Sequence, residues 1–370
     1  MKYIDEFRNG DYATEVARRI HAEADPGRRY RFMEFCGGHT HTLFRYGIPD
    51  LLPDNVNMIH GPGCPVCVLP MARIDAAIEL AVRHQVILCS YGDMLRVPGA
   101  HRTSLLKAKA QGADVRMLYS PADALRIAQE NPQRQVVFFA IGFETTTPPT
   151  AAVLLKARQL ALKNFSVFCN HVLTPPAITG ILEPAQQAGE RIIEGLVGPG
   201  HVSVITGGEA YESLAQRYHT PIVIAGFEPL DLLHAILLLV RQCNQNRHDV
   251  ENQYSRAVTP CGNAKAQSMV AQTMTLRDRF EWRGLGWMPH SALRIRPEFA
   301  DFDAEVRFEL SPSDARENKA CECPAVLRGA KSPTECKLFA TRCTPDNPIG
   351  ACMVSSEGAC AAHYSYGHTR

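Results

Sequence analysis

The sequence predicts an α/β protein built from two similar Rossmann-like lobes, with parallel sheets facing a central cleft, plus a small cysteine-rich C-terminal lobe. Three observations predict it: short β-branched runs alternate with helical stretches over the first two-thirds of the chain, short glycine-rich motifs recur there, and the texture changes after about Ser311. Strand–helix–strand repetition argues for parallel sheets covered by helices.

The predicted strands are Val86 to Cys89, Val115 to Tyr119, Val136 to Ile141, Phe165 to Cys169, Val202 to Ile205 and Ile222 to Ala225. Helical patterns lie at Ala72 to Arg83, Pro121 to Glu130, Thr150 to Lys163 and Tyr211 to Arg217. GPGCPVCV at Gly61 to Val68 echoes GPGHVSVI at Gly198 to Ile205, and SYGDML at Ser90 to Leu95 echoes AGFEPL at Ala225 to Leu230. Gly-Phe-Glu stands at both Gly142 to Glu144 and Gly226 to Glu228. Two related lobes would gather these strand ends at a shared cleft, where open α/β sheets bind ligands. Chance recurrence of short Gly-Pro loops is the competing explanation. Residues 1–190 are expected to form an N-terminal segment with the first α/β domain, 191–310 the second, and 311–370 the cysteine-rich lobe.

Composition narrows the function. A chain of 370 residues with 45% hydrophobic and 21% charged residues buries enough apolar surface to fold without disulfide staples. Lysine plus arginine, 39, nearly cancels aspartate plus glutamate, 38, so there is no broad positive field for nucleic acid or anionic lipid. The N-terminus, MKYIDEFRNGDYATE, has early acidic residues and no apolar run, unlike a secretory signal or transit peptide. The most apolar stretch, Ile222 to Val240, is interrupted by Glu228, Pro229, Asp231 and His234, which argues against a bilayer span. The expected location is the cytoplasm. Thirteen cysteines are then an anomaly, because a reducing compartment does not sustain disulfides and an odd number cannot pair fully. Metal binding or thiol redox chemistry is expected to use several of them.

Three constellations carry that chemistry. Cys321, Cys323, Cys336, Cys343, Cys352 and Cys360 fall within forty residues. Four thiolates bind either zinc or a [4Fe-4S] cluster, and spacing alone leaves both open. Cys64-Pro65-Val66-Cys67 stands at the apparent start of the helix running through Ala72 to Arg83, where proline is favoured at the first helical position and would leave Cys64 at or near the N-cap and Cys67 in the first turn. A helix N-terminus stabilises a thiolate, so this pair is expected to be nucleophilic and easily oxidised. In Cys36-Gly37-Gly38-His39-Thr40-His41 two glycines allow a tight turn, and a thiolate and an imidazole three residues apart could share an Fe(II) or zinc ion. On its own that motif also reads as a buried cysteine beside surface histidines. Glu144, Thr145 to Thr147, His171, His201 and Glu228 are polar groups at predicted strand ends, suited to orienting a ligand or to capping helices. Cys89, Cys169, Cys243 and Cys261 stand alone and are read as packing residues.

Taken together the motifs resemble one family, the HypD proteins that help build the Fe(CN)2(CO) unit of [NiFe]-hydrogenases. The resemblance runs through CGGHTH (Cys36 to His41), GPGCPVCVLP (Gly61 to Pro70), GFETT (Gly142 to Thr146), GPGHVS (Gly198 to Ser203), AGFEPLD (Ala225 to Asp231), ENQY (Glu251 to Tyr254), RGLG (Arg283 to Gly286) and SSEGAC (Ser355 to Cys360). It implies two similar α/β domains and a smaller part bearing a [4Fe-4S] cluster, whose ligand pattern falls on Cys323, Cys336, Cys343 and Cys360. It implies reactive cysteines at Cys36, Cys64 and Cys67. Cys36 would bind iron shared with a cysteine of the small partner HypC, and His39 would be a weaker ligand. It also implies a scaffold rather than a turnover enzyme: HypC and this chain hold Fe(II) while HypE donates cyanide, and a cluster coupled to the Cys64/Cys67 dithiol supplies two electrons. From the residues alone, a stand-alone thiol-disulfide oxidoreductase with a structural metal site is the rival reading.

Overall fold

The structure, a computed structural model, describes residues 5–190, 192–310 and 318–367. Among these, nine parallel strands form two sheets: β1 (Tyr30–Glu34), β2 (Val56–His60), β3 (Ile87–Tyr91), β4 (Val115–Leu118), β5 (Val136–Gly142), β6 (Phe165–His171), β7 (Gly195–Pro199), β8 (Ile222–Ala225) and β9 (Val250–Asn252). The first sheet has the order β2-β1-β7-β8-β9 and the second β4-β3-β5-β6. All pairings within them are parallel.

Five of the six predicted strands are strands; Val202 to Ile205 is not. Those residues lie in the helix Gly200–Thr206, and the strand is the preceding Gly195–Pro199. Three of the five residues of β7 are Gly or Pro, types depleted from strands, which hides it from a propensity reading. The sheets also do not follow the linear division expected at residues 190 and 191. The chain makes β1 and β2, crosses to lay down β3 to β6, and returns to add β7 beside β1. Residues 30–60 therefore share a sheet with residues 195–252.

Side-chain alternation explains how the sheets are joined. Phe32, Val197 and Val223 face an outer core with helices Gly10–Glu23 and Pro229–Asn244, whereas Met33, Leu196, Ile222 and Ile224 face inward. In the second sheet Val136 and Phe138 face outward, and Leu88, Val137, Phe139 and Phe168 inward. The inward sets belong to one continuous core containing the helices Met71–Val82 and Thr174–Gln187, the two chain crossings between sheets. The same core takes in Cys323, Leu327, Cys352 and Val354 of the cysteine-rich segment. The long apolar stretch beginning at Ile222 resolves into β8 and the helix Pro229–Asn244. Among the described residues no helix is long and apolar enough to cross a membrane.

A partly buried ion triad fixes one crossing. Glu305 pairs with Arg73 at 2.6 Å and with Arg277, and both guanidiniums donate to the Cys169 carbonyl, at 3.1 and 3.2 Å. Burial alone would raise the Glu305 carboxyl, but the two guanidiniums outweigh it and hold it down at about 2. Removing one partner of a partly buried ion group leaves charge poorly compensated, so Glu305→Ala should cost about 1–3 kcal/mol in urea denaturation. Exposed Arg126→Ala should cost less than about 0.5 kcal/mol. Because the folded pKa lies below the ordinary value, the Glu305 contribution is complete above about pH 5 and disappears as pH falls toward 2. The difference between wild type and variant should shrink over that interval; a pH-independent difference would contradict the assignment.

Candidate functional site

The strand order of the first sheet reverses between β1 and β7, which makes their carboxyl ends a topological switch point. Cys36 follows β1 there, Gly61 to Cys67 follow β2, His201 follows β7 and Phe227 follows β8. Glu34, the last residue of β1, is 1% exposed and organises the corner. Its carboxylate accepts from the Cys36 backbone N–H at 2.8 Å, from Thr40 Oγ1, and from His60 Nδ1–H at 3.2 Å.

Two close backbone approaches bring together the segments that carry the predicted thiols. Gly37 N–H donates to the Gly63 carbonyl at 3.2 Å, and a Cβ on Gly63 would lie 2.4 Å from the Cys36 backbone nitrogen. Only glycine admits that contact, so the GPG turn is what seats Cys64 beside Cys36. Cys64 and Cys67 form a disulfide with Cα atoms 5.2 Å apart. Cys64 caps the short helix Pro65–Val68 and accepts from the Cys67 N–H at 3.2 Å. This is a separate turn, since the chain is extended at Leu69 and Pro70 before the helix Met71–Val82 begins. The expected long helix therefore starts after the Cys-x-x-Cys element, which has its own N-terminus. Cys67 is 0% and Cys64 4% exposed.

Cys36 is a free, buried thiol at the N-cap of the helix Gly37–Arg45. Burial raises its proton affinity well above the ordinary thiol range, Glu357 and Glu34 add to this, and backbone N–H groups of Gly38 and His39 offset only part. Desolvation thus wins over the helix terminus, and the thiol holds its proton more tightly than an exposed one does. His39 is fully buried, with Nε2 3.1 Å from the Ala225 carbonyl and the ring stacked on Phe227. Its Nδ1 has no hydrogen-bond partner among the described residues, so that nitrogen is the one left to ligate. His201 stacks on the same phenyl ring at 3.8 Å.

The other strand-end groups hold structure together. Glu144 accepts from the Thr174 N–H at 2.8 Å and Thr174 Oγ1 at 2.9 Å, securing the start of the helix Thr174–Gln187, while burial lifts its carboxyl to about 7. Glu228 forms a capping box with Asp231, Thr146 and Thr147 donate to the Phe143 carbonyl, and His171 Nε2 meets Thr150 Oγ1 at 2.9 Å. Cys89, Cys169 and Cys243 are buried packing residues as expected; Cys261 is exposed instead, beside Glu209. Sequence reading missed Glu34, His60 and Phe227 as site residues. Two signals were available: polarity inside an apolar run at Glu34 and the placement of His60 directly before the GPG turn.

All six C-terminal cysteines line one small apolar cavity with Leu338, Phe339 and Met353. Cys323, expected among four metal ligands, instead forms a disulfide with Cys352, their Cα atoms 6.3 Å apart. The free thiols are Cys321, Cys336, Cys343 and Cys360. Burial raises Cys321 to about 11 and raises Cys360 further, and in both the neighbouring thiols push in the same direction. No group of three or more His, Cys, Asp or Glu side chains among the described residues is set to hold a single metal ion. The segment packs on the first site: a Cβ on Gly37 would meet the Glu357 side chain at 2.3 Å.

Fold and site together define a doubly wound α/β protein with thiol and imidazole groups at its switch point and a cysteine-rich segment packed against them. The chain belongs to the HypD family, whose profile, described as "Hydrogenase formation hypA family", matches residues 11–367. It is 66% identical over 371 residues to the hydrogenase maturation factor HypD of Azotobacter vinelandii, covering 100% of this chain and 98% of that one. It is 62% identical to that of Rhizobium leguminosarum bv. viciae (100% and 97% covered) and 46% identical to that of Escherichia coli K12 (99% and 98%).

Without metal, Cys36 should alkylate more slowly than an unperturbed peptide thiol, whose pKa is about 8.5, throughout about pH 7–9. Mass-spectrometric labelling checks this, and fast labelling of Cys36 at neutral pH would contradict the burial argument.

Proposed function

We propose that this chain is a hydrogenase maturation factor of the cytoplasm that, with a small HypC-type chaperone, holds one iron ion at Cys36 during assembly of the Fe(CN)2(CO) unit. A HypE-type partner donates the cyanide. The observation that carries this reading is the joining of Cys36 to the Cys64–Cys67 pair across the Gly37–Gly63 hydrogen bond at the switch point. A metal-binding thiol and a two-electron couple are thereby held side by side.

The residues divide the work. Fe(II), as cargo, takes the place of the Cys36 proton, and its positive charge reverses the electrostatic term that Glu34 and Glu357 impose on the thiol. His39 Nδ1 is the weaker second ligand. In the closed disulfide Cys64 and Cys67 offer no thiolate to metal, so any ligation by them follows reduction. As a dithiol the pair balances cyanide release: two thiols and a thiocyanate ester give one disulfide, one thiol on the donor and HCN. The two protons come from the dithiol, and one S–S bond forms as one S–C bond breaks. Regenerating the dithiol takes two electrons and two protons.

Cys321, Cys336, Cys343 and Cys360 are the residues we assign to a [4Fe-4S] cluster, because they are the thiols left free at a shared cavity once Cys323 pairs with Cys352. Bound to a cluster, Cys321 and Cys360 would be thiolates whose charge the iron would offset, where burial and neighbouring thiols otherwise favour the proton. When bound, such a cluster supplies electrons one at a time.

Cys36→Ala should abolish iron co-purifying with the two-partner complex while leaving the cysteine-rich segment's iron and sulfide unchanged. Maturation that survives this change would sink the role of Cys36. Iron and acid-labile sulfide should fall from about four each to near zero in Cys321→Ser and persist in Cys323→Ser. The reverse pattern would return Cys323 to the ligand set.

A further inference from the structure

His60 at the end of β2 and His363 on the C-terminal helix Ala359–Tyr366 meet through their Nε2 atoms at 3.2 Å. The two rings come from opposite ends of the sequence and from the two parts of the protein that carry the cysteines. His60 is 8% exposed, and its Nδ1 is held by the Glu34 carboxylate at 3.2 Å. A carboxylate accepts from Nδ1–H, so the lone pair of His60 is on Nε2, facing His363.

That arrangement has two chemical meanings. One is a hydrogen bond between neutral imidazoles, with His363 as the donor. The other is a pair of ligands: at 2.0–2.1 Å from a tetrahedral ion, two nitrogens stand about 3.3–3.4 Å apart. A carboxylate behind a ligating imidazole is the usual outer partner that fixes its tautomer and raises its basicity. Phe44, 3.9 Å from the His363 ring, limits its rotation from one side.

We propose that His60 and His363 form a divalent transition-metal site, each Nε2 supplying one ligand, with Glu34 orienting His60 and water completing the coordination. Imidazole pairs suit zinc, iron, cobalt and nickel. With only two protein ligands the site is exchangeable rather than a store. Glu34 touches both His60 and the Cys36 backbone, so an ion held here is one carboxylate away from the Cys36 thiol. A role as a staging point for iron bound for Cys36 rests on the assembly function proposed above; the site itself does not.

The test uses full-length, cluster-loaded protein with Cys64–Cys67 oxidised and Cys36→Ala present, so that the assembly thiol is silent. Anaerobic titration with Co(II) should show one equivalent bound without thiolate-to-cobalt charge-transfer absorption. Adding His363→Asn keeps a donor for His60 but no good ligand, and should remove that equivalent; adding Glu34→Gln should weaken it about 10–100-fold. Equal binding with and without His363→Asn would overturn the site and leave the pair as a hydrogen bond. Should the Asn variant lose its cluster absorption, the unmutated chain decides: Zn(II) should slow acylation of His363 at least about tenfold by mass spectrometry, and an unchanged rate overturns the proposal. Because Cys36 is absent from the first arm, failure there leaves its assembly role standing, and loss of that role leaves the imidazole site standing.

Discussion

One buried carboxylate, that of Glu34, ties the corner on which the site depends. Moving such a group out of water costs several kcal/mol unless its oxygens are fully hydrogen-bonded. Here the bonds come from the Cys36 backbone, from Thr40 one turn into the next helix, and from His60 on the neighbouring strand. Satisfying Glu34 thus fixes the helix carrying Cys36 and His39 relative to β1, and aligns the end of β2, from which the Cys64–Cys67 turn departs. Through His60 the same group reaches His363 and the helix that carries Cys360.

Burial sets the chemistry of this corner. The helix terminus at Cys36 favours a thiolate, yet desolvation and two carboxylates favour the thiol more strongly, and the sum is a protonated sulfur. A site built this way is inert toward adventitious electrophiles and responds to a cation that brings its own charge. The same balance holds at Cys321 and Cys360, where crowding of thiols replaces the carboxylates.

Much of the fold was legible because β-branched runs and helix periodicity agree for β3 to β6 and β8. The strand β7 was hidden because its Gly and Pro content speaks against a strand while tertiary pairing on both sides imposes one. Cys36, Cys64 and Cys67 were legible from glycines and proline, since the tight turns that seat them leave a local trace. The choice between Cys321 and Cys323 was not: the two lie on either side of Glu322, and which one meets Cys352 depends on packing 29 residues further along. Glu34, His60 and His363 carry no joint pattern in one dimension, for only the parallel pairing of β1 with β2 and the docking of the last helix bring them together.

The central claim is that the cysteine-rich segment and the Cys64–Cys67 pair work as one redox unit. The most direct measurement supplies electrons to cluster-loaded protein from a one-electron reductant that does not open disulfides itself, and then labels Cys64 and Cys67 for mass spectrometry. Both thiols should become labelled in the intact protein, and the bond between them should stay closed in Cys336→Ala. A Cys64–Cys67 bond that remains closed while the visible chromophore is fully reduced would contradict the claim.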